Sequence, residues 1–345
     1  MNRHKSAYLV LKRKGGIMKK KVAVIVGVLL LAVALFLVLK PSSFEKKADK
    51  TMQKLTSYKL EGNMEISSGE EFKNYAITSS WMKEGEDEYF KVSMIDKSLN
   101  QEQIILKNKE GVFVVTPSLN QVFKFQGEWP MNSPKPYLLQ TMMDVLKNDH
   151  QTKKEKDGIL ISADAKYPSA AQLVRQEIKF NKDTKPLYLI AYDANNAPAL
   201  TMEFTAVSYN EGFEAGYFDT PKSSIETPTS SYTGLIELPL YPMTVFDSKL
   251  VASTVSSVNG QPQHILEFSG ERDFTVVQTE RAPSQELMVT EVSGDLVEGL
   301  GLVGYYDGNR LTITNSQVEY SVYSNDLTPQ EMMQVVESMQ VSVMK

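Results

Sequence analysis

The hydrophobic pattern begins with one uninterrupted apolar segment, Val22–Leu39, which contains no charged or polar side chain. As a helix rising about 1.5 Å per residue, it would span roughly 27 Å, close to the hydrocarbon thickness of a bilayer. Lys19, Lys20 and Lys21 precede it, and the positive-inside rule places such a flank in the cytoplasm. The pattern therefore predicts a single-pass transmembrane helix at 22–39 in the cell membrane, with the rest of the chain outside the cytoplasm.

A cleaved signal peptide is the alternative interpretation of this segment. Its apolar core is usually shorter and is followed by a small-x-small cleavage site. Here Leu37-Val38-Leu39 continues directly into Lys40 and Pro41. The sequence therefore favours an uncleaved membrane anchor.

Residues 1–17 are interpreted as a mis-annotated extension. The string from Lys14 to Met18 can be encoded by codons that contain a bacterial ribosome-binding sequence just before a Met codon. Translation is then expected to start at Met18, and residues 18–21 form a short cytoplasmic N-terminus. A peptide from residues 5–12, found by mass spectrometry in native cells, would contradict this hypothesis.

The polar and apolar positions after the anchor change from a helical period to a period of two. Phe44, Ala48, Met52 and Leu55 have the spacing of an amphipathic helix, predicted over 44–58. Short alternating runs then follow, separated by turn-forming residues, and such runs predict an antiparallel meander. The runs are Leu60–Ile66, Phe72–Met82, Tyr89–Ile95, Gln103–Lys107, Gly111–Thr116 and Gln121–Gln126.

A second helical spacing interrupts the strands at Pro134–Asp149, and it predicts a helix packed on the sheet. Strands resume after it, and the first domain is placed at 44–221. Residues 222–233 have linker composition. A smaller domain at 234–345 is predicted to hold several strands, of which His264–Phe268 is the first and Leu287–Val292 another, and a final helix. Thr328 is the predicted N-cap of that helix, and Glu331 completes a capping box. The predicted fold class is α+β: an N-terminal transmembrane helix, a half-barrel sheet closed by helices, and a small C-terminal α+β domain.

Composition excludes several kinds of site. The chain has no cysteine and three histidines, so disulfides, thiolate metal sites and a lipidated cysteine are excluded, and no metal is expected. After residue 21 the chain holds 29 Lys/Arg and 42 Asp/Glu, a net charge of −13, which argues against a nucleic-acid partner. No P-loop, nucleophile elbow, dinucleotide fingerprint or H-E-x-x-H motif occurs, so we expect neither an enzyme nor a cofactor.

Aromatic and apolar residues of the predicted strands and of the helix between them are the candidate binding residues. An ordinary core between sheet and helix would use the same residue types, so core and cavity both stay open. Adjacent methionines favour an adaptable apolar cavity. The candidates are Trp81, Phe90, Phe113, Val115, Phe123, Phe125, Trp129, Leu138, Leu139, Met142 and Met143.

The run Lys109–Phe125, with its strand, turn and strand, resembles the outer-membrane lipoprotein carrier (LolA-like) superfamily. The pair Trp129-Pro130 and the Tyr137-Leu138-Leu139 helix resemble Gram-positive members, including membrane-anchored sporulation and germination proteins. The segment from Tyr232 resembles a C-terminal domain of unknown function. The resemblance implies a half-barrel closed by helices around a cavity that, in the carriers, holds lipoprotein acyl chains. This chain departs from the carriers in its anchor and its added domain, so literal transport is not expected.

Two functions therefore stay open at the level of sequence. The first is a non-enzymatic, membrane-anchored binding protein for an acyl chain, a lipoprotein or a lipidated partner close to the bilayer. The second is a regulatory or scaffold protein of the cell envelope that docks a protein partner and has no ligand cavity. A large apolar void favours the first. A filled half-barrel with an exposed apolar patch favours the second.

Overall fold

The computed structural model of the protein describes residues 43–68, 71–126, 135–168, 170–223, 225, 237–315 and 317–340. Within these residues 56% lie in strands and 12% in helices. The fold is mostly β with large open sheets, so the predicted α+β class with a half-barrel closed by helices is wrong. The predicted transmembrane segment 22–39 lies outside the described residues, and inside them no helix is long and apolar enough to cross a bilayer.

Three short helices account for most of the helical content that the structure describes: α1 (Ser43–Lys54), α2 (Leu139–Asp144) and α3 (Pro329–Glu337). The predicted first helix extends too far, because Ser57 already begins a strand. The predicted cap of α3 is confirmed. The Thr328 hydroxyl accepts the Glu331 N–H at 3.3 Å, and the Glu331 carboxylate accepts the Thr328 N–H at 2.9 Å.

The first sheet has twelve strands in the order β16-β6-β5-β4-β3-β2-β1-β11-β10-β9-β8-β7. Every neighbouring pair is antiparallel except β16 and β6, which are parallel. Strands β1 to β6 lie side by side in chain order, which confirms the predicted meander. The strands are β1 (Ser57–Ser68), β2 (Glu71–Glu84), β3 (Asp87–Asp96), β4 (Gln101–Asn108), β5 (Gly111–Thr116), β6 (Gln121–Phe125), β7 (His150–Lys154), β8 (Gly158–Asp164), β9 (Leu173–Asn181), β10 (Pro186–Asp193), β11 (Pro198–Tyr209) and β16 (Met288–Val292).

The second sheet has seven strands in the order β13-β14-β15-β20-β19-β18-β17, and α3 packs on it. Its core joins Leu266, Val276 and Leu311 of the sheet to Met332 and Val336 of the helix. Two short strands, β12 (Tyr241–Pro242) and β21 (Met339–Gln340), pair beside it. The strands are β13 (Ser248–Val258), β14 (Gln261–Gly270), β15 (Phe274–Glu280), β17 (Asp295–Glu298), β18 (Val303–Tyr306), β19 (Arg310–Asn315) and β20 (Val318–Tyr323).

Helices do not close the first sheet, because the segment predicted as a helix at Pro134–Asp149 is mostly not helical. Only Leu139–Asp144 is α-helical there, followed by a 3₁₀ turn at Val145–Lys147. Tyr137 and Leu138 are buried without being helical. The apolar spacing correctly predicted which residues are buried, but it did not identify a helix. Over so few residues, a buried irregular segment can have the same spacing as a helix.

The C-terminal part of the chain contributes one strand to the first sheet. The predicted strand Leu287–Val292 forms as β16, but it extends the first sheet beyond β6. The Asn120 side-chain amide supports this crossing, donating to the Ser284 carbonyl at 2.8 Å and accepting the Ile225 N–H at 2.9 Å. The boundary between domains at 44–221 and 234–345 stays a prediction, with one C-terminal strand belonging to the first sheet.

Candidate functional site

The predicted binding residues of the first sheet lie on both of its faces. Residues directly opposite across a strand pair project to the same side. Trp81 pairs with Phe90, and Phe125 lies in the same row through Lys107 and Val112. We call this side, which also carries Phe123, the inner face.

The remaining two sheet residues of the prediction point the other way. Phe113 and Val115 lie on the outer face, where they form a cluster with Leu106, Val122 and Phe218. The structure therefore does not bring Phe113 and Val115 together with the residues of the inner face.

The inner face is covered at one end by α2. The Tyr58 ring stacks on Trp81 with centroids 5.7 Å apart, and the Tyr58 hydroxyl donates to the Gln140 Oε1 of α2 at 2.6 Å. The four predicted residues of this segment are buried; they are Leu138, Leu139, Met142 and Met143. The eleventh predicted residue, Trp129, lies outside the described residues.

The other end of the inner face is covered by the second sheet. The Tyr305 ring of β18 lies 5.9 Å from Phe123 and 6.5 Å from Phe125, measured between ring centroids. Gly301 reaches the Tyr75 ring so closely that a Cβ at that position would lie 2.5 Å from it. The voids at this contact measure about 20 and 10 Å³, room for roughly one water each. The inner face is therefore filled by the chain's own side chains where Phe123 and Phe125 lie.

A buried ion pair crosses the same contact region. Lys135 Nζ lies 2.6 Å from Glu298 Oε2, and the two side chains are only 2% and 1% exposed. A charge removed from water loses its hydration, so such a pair persists only while both partners stay in place. The pair therefore holds the segment before α2 against β17.

A cleft of about 590 Å³ lies beside α3, and we call it the Glu337 cleft. Its size is in the range of small-molecule sites. The lining is mixed in character. Polar residues of the lining include Lys73, Gln172, Asp193 and Glu337, and apolar ones include Ile66, Ala197 and Leu302.

Glu337 ties the loop before β18 to α3. Its carboxylate Oε1 accepts the backbone N–H of Leu300 at 2.7 Å and of Gly301 at 3.4 Å. The Lys73 ammonium donates to the Glu337 backbone carbonyl. Burial raises the pKa of the Glu337 carboxyl above its ordinary value, and the two N–H donors and the nearby Lys73 and Lys135 only partly oppose this.

This pKa shift predicts a pH-dependent stability. The folded chain holds the Glu337 proton to higher pH than the unfolded chain, so stability is fully present below the unfolded pKa and is lost as pH rises through the folded one. Glu337→Gln keeps an acceptor for the two N–H groups and removes the charge. We expect its unfolding free energy relative to wild type to increase with pH, measured by urea unfolding from about pH 4 to about pH 8. Glu286→Gln, at an exposed carboxylate, is the control, and a flat difference for Glu337→Gln would contradict the prediction.

A second cavity, of about 380 Å³, lies between α2 and strands β8 and β9. Its wall combines polar and apolar surface. The Tyr167 hydroxyl donates to Gln176 Oε1 at 2.7 Å, and Gln176 Nε2 donates to the Asp164 carbonyl at 3.0 Å. Burial raises the pKa of Tyr167, which keeps its hydroxyl protonated as a donor. In the part of the chain that the structure describes, no group of three or more His, Cys, Asp or Glu side chains is placed to hold a metal ion.

Sequence reasoning missed the hairpin of β13 and β14. The prediction began its first C-terminal strands at His264, whereas β13 already starts at Ser248. The signal was present in Asn259-Gly260, the dipeptide of a tight hairpin turn, and both residues have positive φ, 53° and 80°. Most of β13 is exposed, including Val251 and Val255.

One curated protein is similar over most of the chain. It is the sporulation protein YdcC of Bacillus subtilis (strain 168), 31% identical over 304 residues that cover 85% of this chain and 88% of the relative. The chain belongs to the YdcC family. No protein-family model matches it.

The solved structures that resemble the chain are much more distant. MucB, in a crystal structure of its complex with MucA of Pseudomonas aeruginosa, is 12% identical with a TM-score of 0.33, over 88% of this chain and 100% of that chain. A LolA superfamily protein from Nitrosomonas europaea is 9% identical with a TM-score of 0.22, over 84% of this chain and 92% of that protein. The predicted resemblance to a sporulation-type protein is confirmed by the YdcC match, whereas MucB and the Nitrosomonas europaea protein are too remote to test the LolA-like part. Likenesses as remote as these two carry no weight for function.

Proposed function

We propose that this protein is a membrane-anchored, extracytoplasmic binding protein of the cell envelope, that it acts in sporulation, and that it binds a protein partner without catalysing a reaction. The observation that carries the choice of a protein over an acyl chain is the filled inner face. Tyr305 occupies the space over Phe123 and Phe125, and the void left there has room for about one water.

The anchor and the sporulation role have separate support. The apolar segment 22–39 with its preceding lysines supports a tether in the cell membrane with the sheets outside the cytoplasm. The name of the relative YdcC, a sporulation protein, supports the cellular process. The absence of catalytic motifs from the sequence supports a binding role.

The Glu337 cleft is the surface where we place the partner. Lys73, Asp193 and Gln172 line it beside the apolar Ile66 and Leu302. An acyl chain has no groups that hydrogen-bond to these polar side chains, and burying the side chains under hydrocarbon would remove their hydration without compensation. A peptide segment carries both apolar side chains and hydrogen-bonding groups, so the mixed lining favours a segment of a protein.

A photo-crosslinking amino acid at Gln172 of the full chain, expressed in sporulating cells, tests this proposal. Gln172 is exposed and lines the cleft. We expect an adduct of protein size, reduced about tenfold by Ala197→Trp, because an indole at this exposed lining position would occupy the cleft. Ala194→Trp, on the same turn but outside the lining, is the matched control and should leave the adduct unchanged.

Two results would contradict the proposal. The first is an adduct whose mass corresponds to a lipid, which would favour the acyl-binding alternative. The second is a protein adduct that Ala197→Trp and Ala194→Trp affect equally, which would place the partner outside the Glu337 cleft.

A further inference from the structure

Strand β13 forms one edge of the second sheet. Among the described strands it pairs with β14 alone, so the backbone groups of its other side are not used in the sheet. Its side chains are unusually exposed for apolar residues. The exposed fractions are 42% for Leu250, 61% for Val251, 66% for Val255 and 48% for Val258.

The other sheet edges in the described part of the chain have the features that discourage pairing. Strand β7 is short and carries Lys153 and Lys154. Strand β17 has four residues, two of them acidic, and β16 has five residues with Glu291 among them. Charged side chains and short length are the usual means by which proteins prevent edge-to-edge association.

Strand β13 has neither feature. It is eleven residues long, and Lys249 is its one charged residue. From Leu250 to Gln263 the chain contains no charged side chain at all. The pairing of β13 with β14 has one register shift, between Leu250 and Ala252. A long, uncharged edge is a template for another strand.

We propose that β13 pairs with the β13 of a second copy of this chain, antiparallel and about a two-fold axis at Ser253. This inference goes beyond the proposed function and uses a different surface from the Glu337 cleft. The two second sheets would become one continuous sheet across an isologous interface.

The register of this pairing follows from the strand itself. Complete overlap of the two strands places Ser248 opposite Val258 and centres the pair on Ser253. In that register Val251 lies opposite Val255, and symmetry repeats this pair on the other side of the axis. These are two of the most exposed apolar side chains of the strand, and β-branched pairs stabilise neighbouring strands.

Charge does not oppose a second copy at this edge. The chain after residue 21 is net acidic, with 42 Asp/Glu against 29 Lys/Arg, so two copies repel each other over most of their surface. The uncharged edge is a place where they can approach. In the proposed register Lys249 lies opposite Ser257, so no like charges face each other across the pair.

The absence of native cysteine makes a direct test possible. Both variants are made in the full chain, expressed in its native membrane. Ser253→Cys places a thiol at the proposed axis, opposite the same thiol of the second copy. Ser257→Cys places a thiol eight positions along the strand from the thiol of the second copy. Disulfides need Cα atoms about 4.4–6.8 Å apart. After mild oxidation we expect a dimer of twice the chain mass for Ser253→Cys and almost none for Ser257→Cys.

A second variant distinguishes strand pairing from disulfides formed by random collision of two copies. Val255→Lys in the Ser253→Cys background should reduce the dimer fraction about tenfold, since a lysine on an edge opposes strand pairing. Val289→Lys, at an exposed valine of β16, should leave it unchanged. The proposal is overturned if Ser253→Cys gives no dimer, if Ser257→Cys gives as much, if the Val255→Lys variant retains it, or if the crosslinked product contains a different protein.

Discussion

Replacing Lys135 with alanine is expected to destabilise the folded protein by about 3–5 kcal/mol, because it leaves the Glu298 carboxylate buried without the ammonium that now faces it at 2.6 Å. Both side chains are almost completely inaccessible, so water cannot replace the lost partner. The unfolding free energy of the full chain, measured by urea denaturation in detergent, checks this result.

Two further variants separate the buried pair from a general effect of losing a lysine. Lys147→Ala removes a partner from Asp144 in a pair that is 66% and 58% exposed, and we expect a loss below about 1 kcal/mol. Joint replacement of Lys135 by Met and Glu298 by Leu should recover most of the stability, because no charge then remains buried. A loss for Lys135→Ala as small as for Lys147→Ala would contradict the prediction.

Phe90→Ala is expected to cost about 3–5 kcal/mol, since Phe90 is fully buried between Trp81 and the neighbouring strands. This result bears on the choice between core and cavity. A side chain that lines an empty acyl cavity has partners on one side only, and its removal costs less than removal from a filled core. The measurement is again the urea-unfolding free energy.

Phe72→Ala serves as the control for Phe90→Ala. Phe72 lies on β2 but is 60% exposed, so its loss should change stability by about 0.5 kcal/mol or less. If Phe90→Ala were equally mild, the inner face would have to contain space that the side chains do not fill, and the acyl-binding alternative would regain support.

The meander of β1 to β6 could be predicted because each strand alternates and each turn has its own residues. Trp81 and Phe90, for example, lie on adjacent strands joined by a short turn at Gly85-Glu86, so local sequence determines that they meet. The capping box of Thr328 and Glu331 is local in the same sense. Such features depend only on residues within a few positions of one another, so they can be predicted from a single sequence.

The candidate site could not be predicted as a whole. Phe113 and Phe123 are candidates for the same site, but a period of two shows only which residues of one strand share a side. Which side is covered, and by what, depends on Tyr305 and on Gly301, far along the chain. The Glu337 cleft likewise combines Lys73, Asp193 and Glu337, and no local spacing relates these positions.

The sequence by itself determined the apolar segment Val22–Leu39, the meander of β1 to β6, the cap of α3 and the exclusion of disulfides. It also contained, in Asn259-Gly260, the turn of the exposed hairpin. Only the tertiary structure decided that β16 joins the first sheet, that Lys135 meets Glu298, and that Tyr305 fills the inner face. The physical reason is that residues far apart in the chain meet only when burial of both surfaces offsets the entropy of closing the intervening loop. That balance depends on the complete set of packed surfaces.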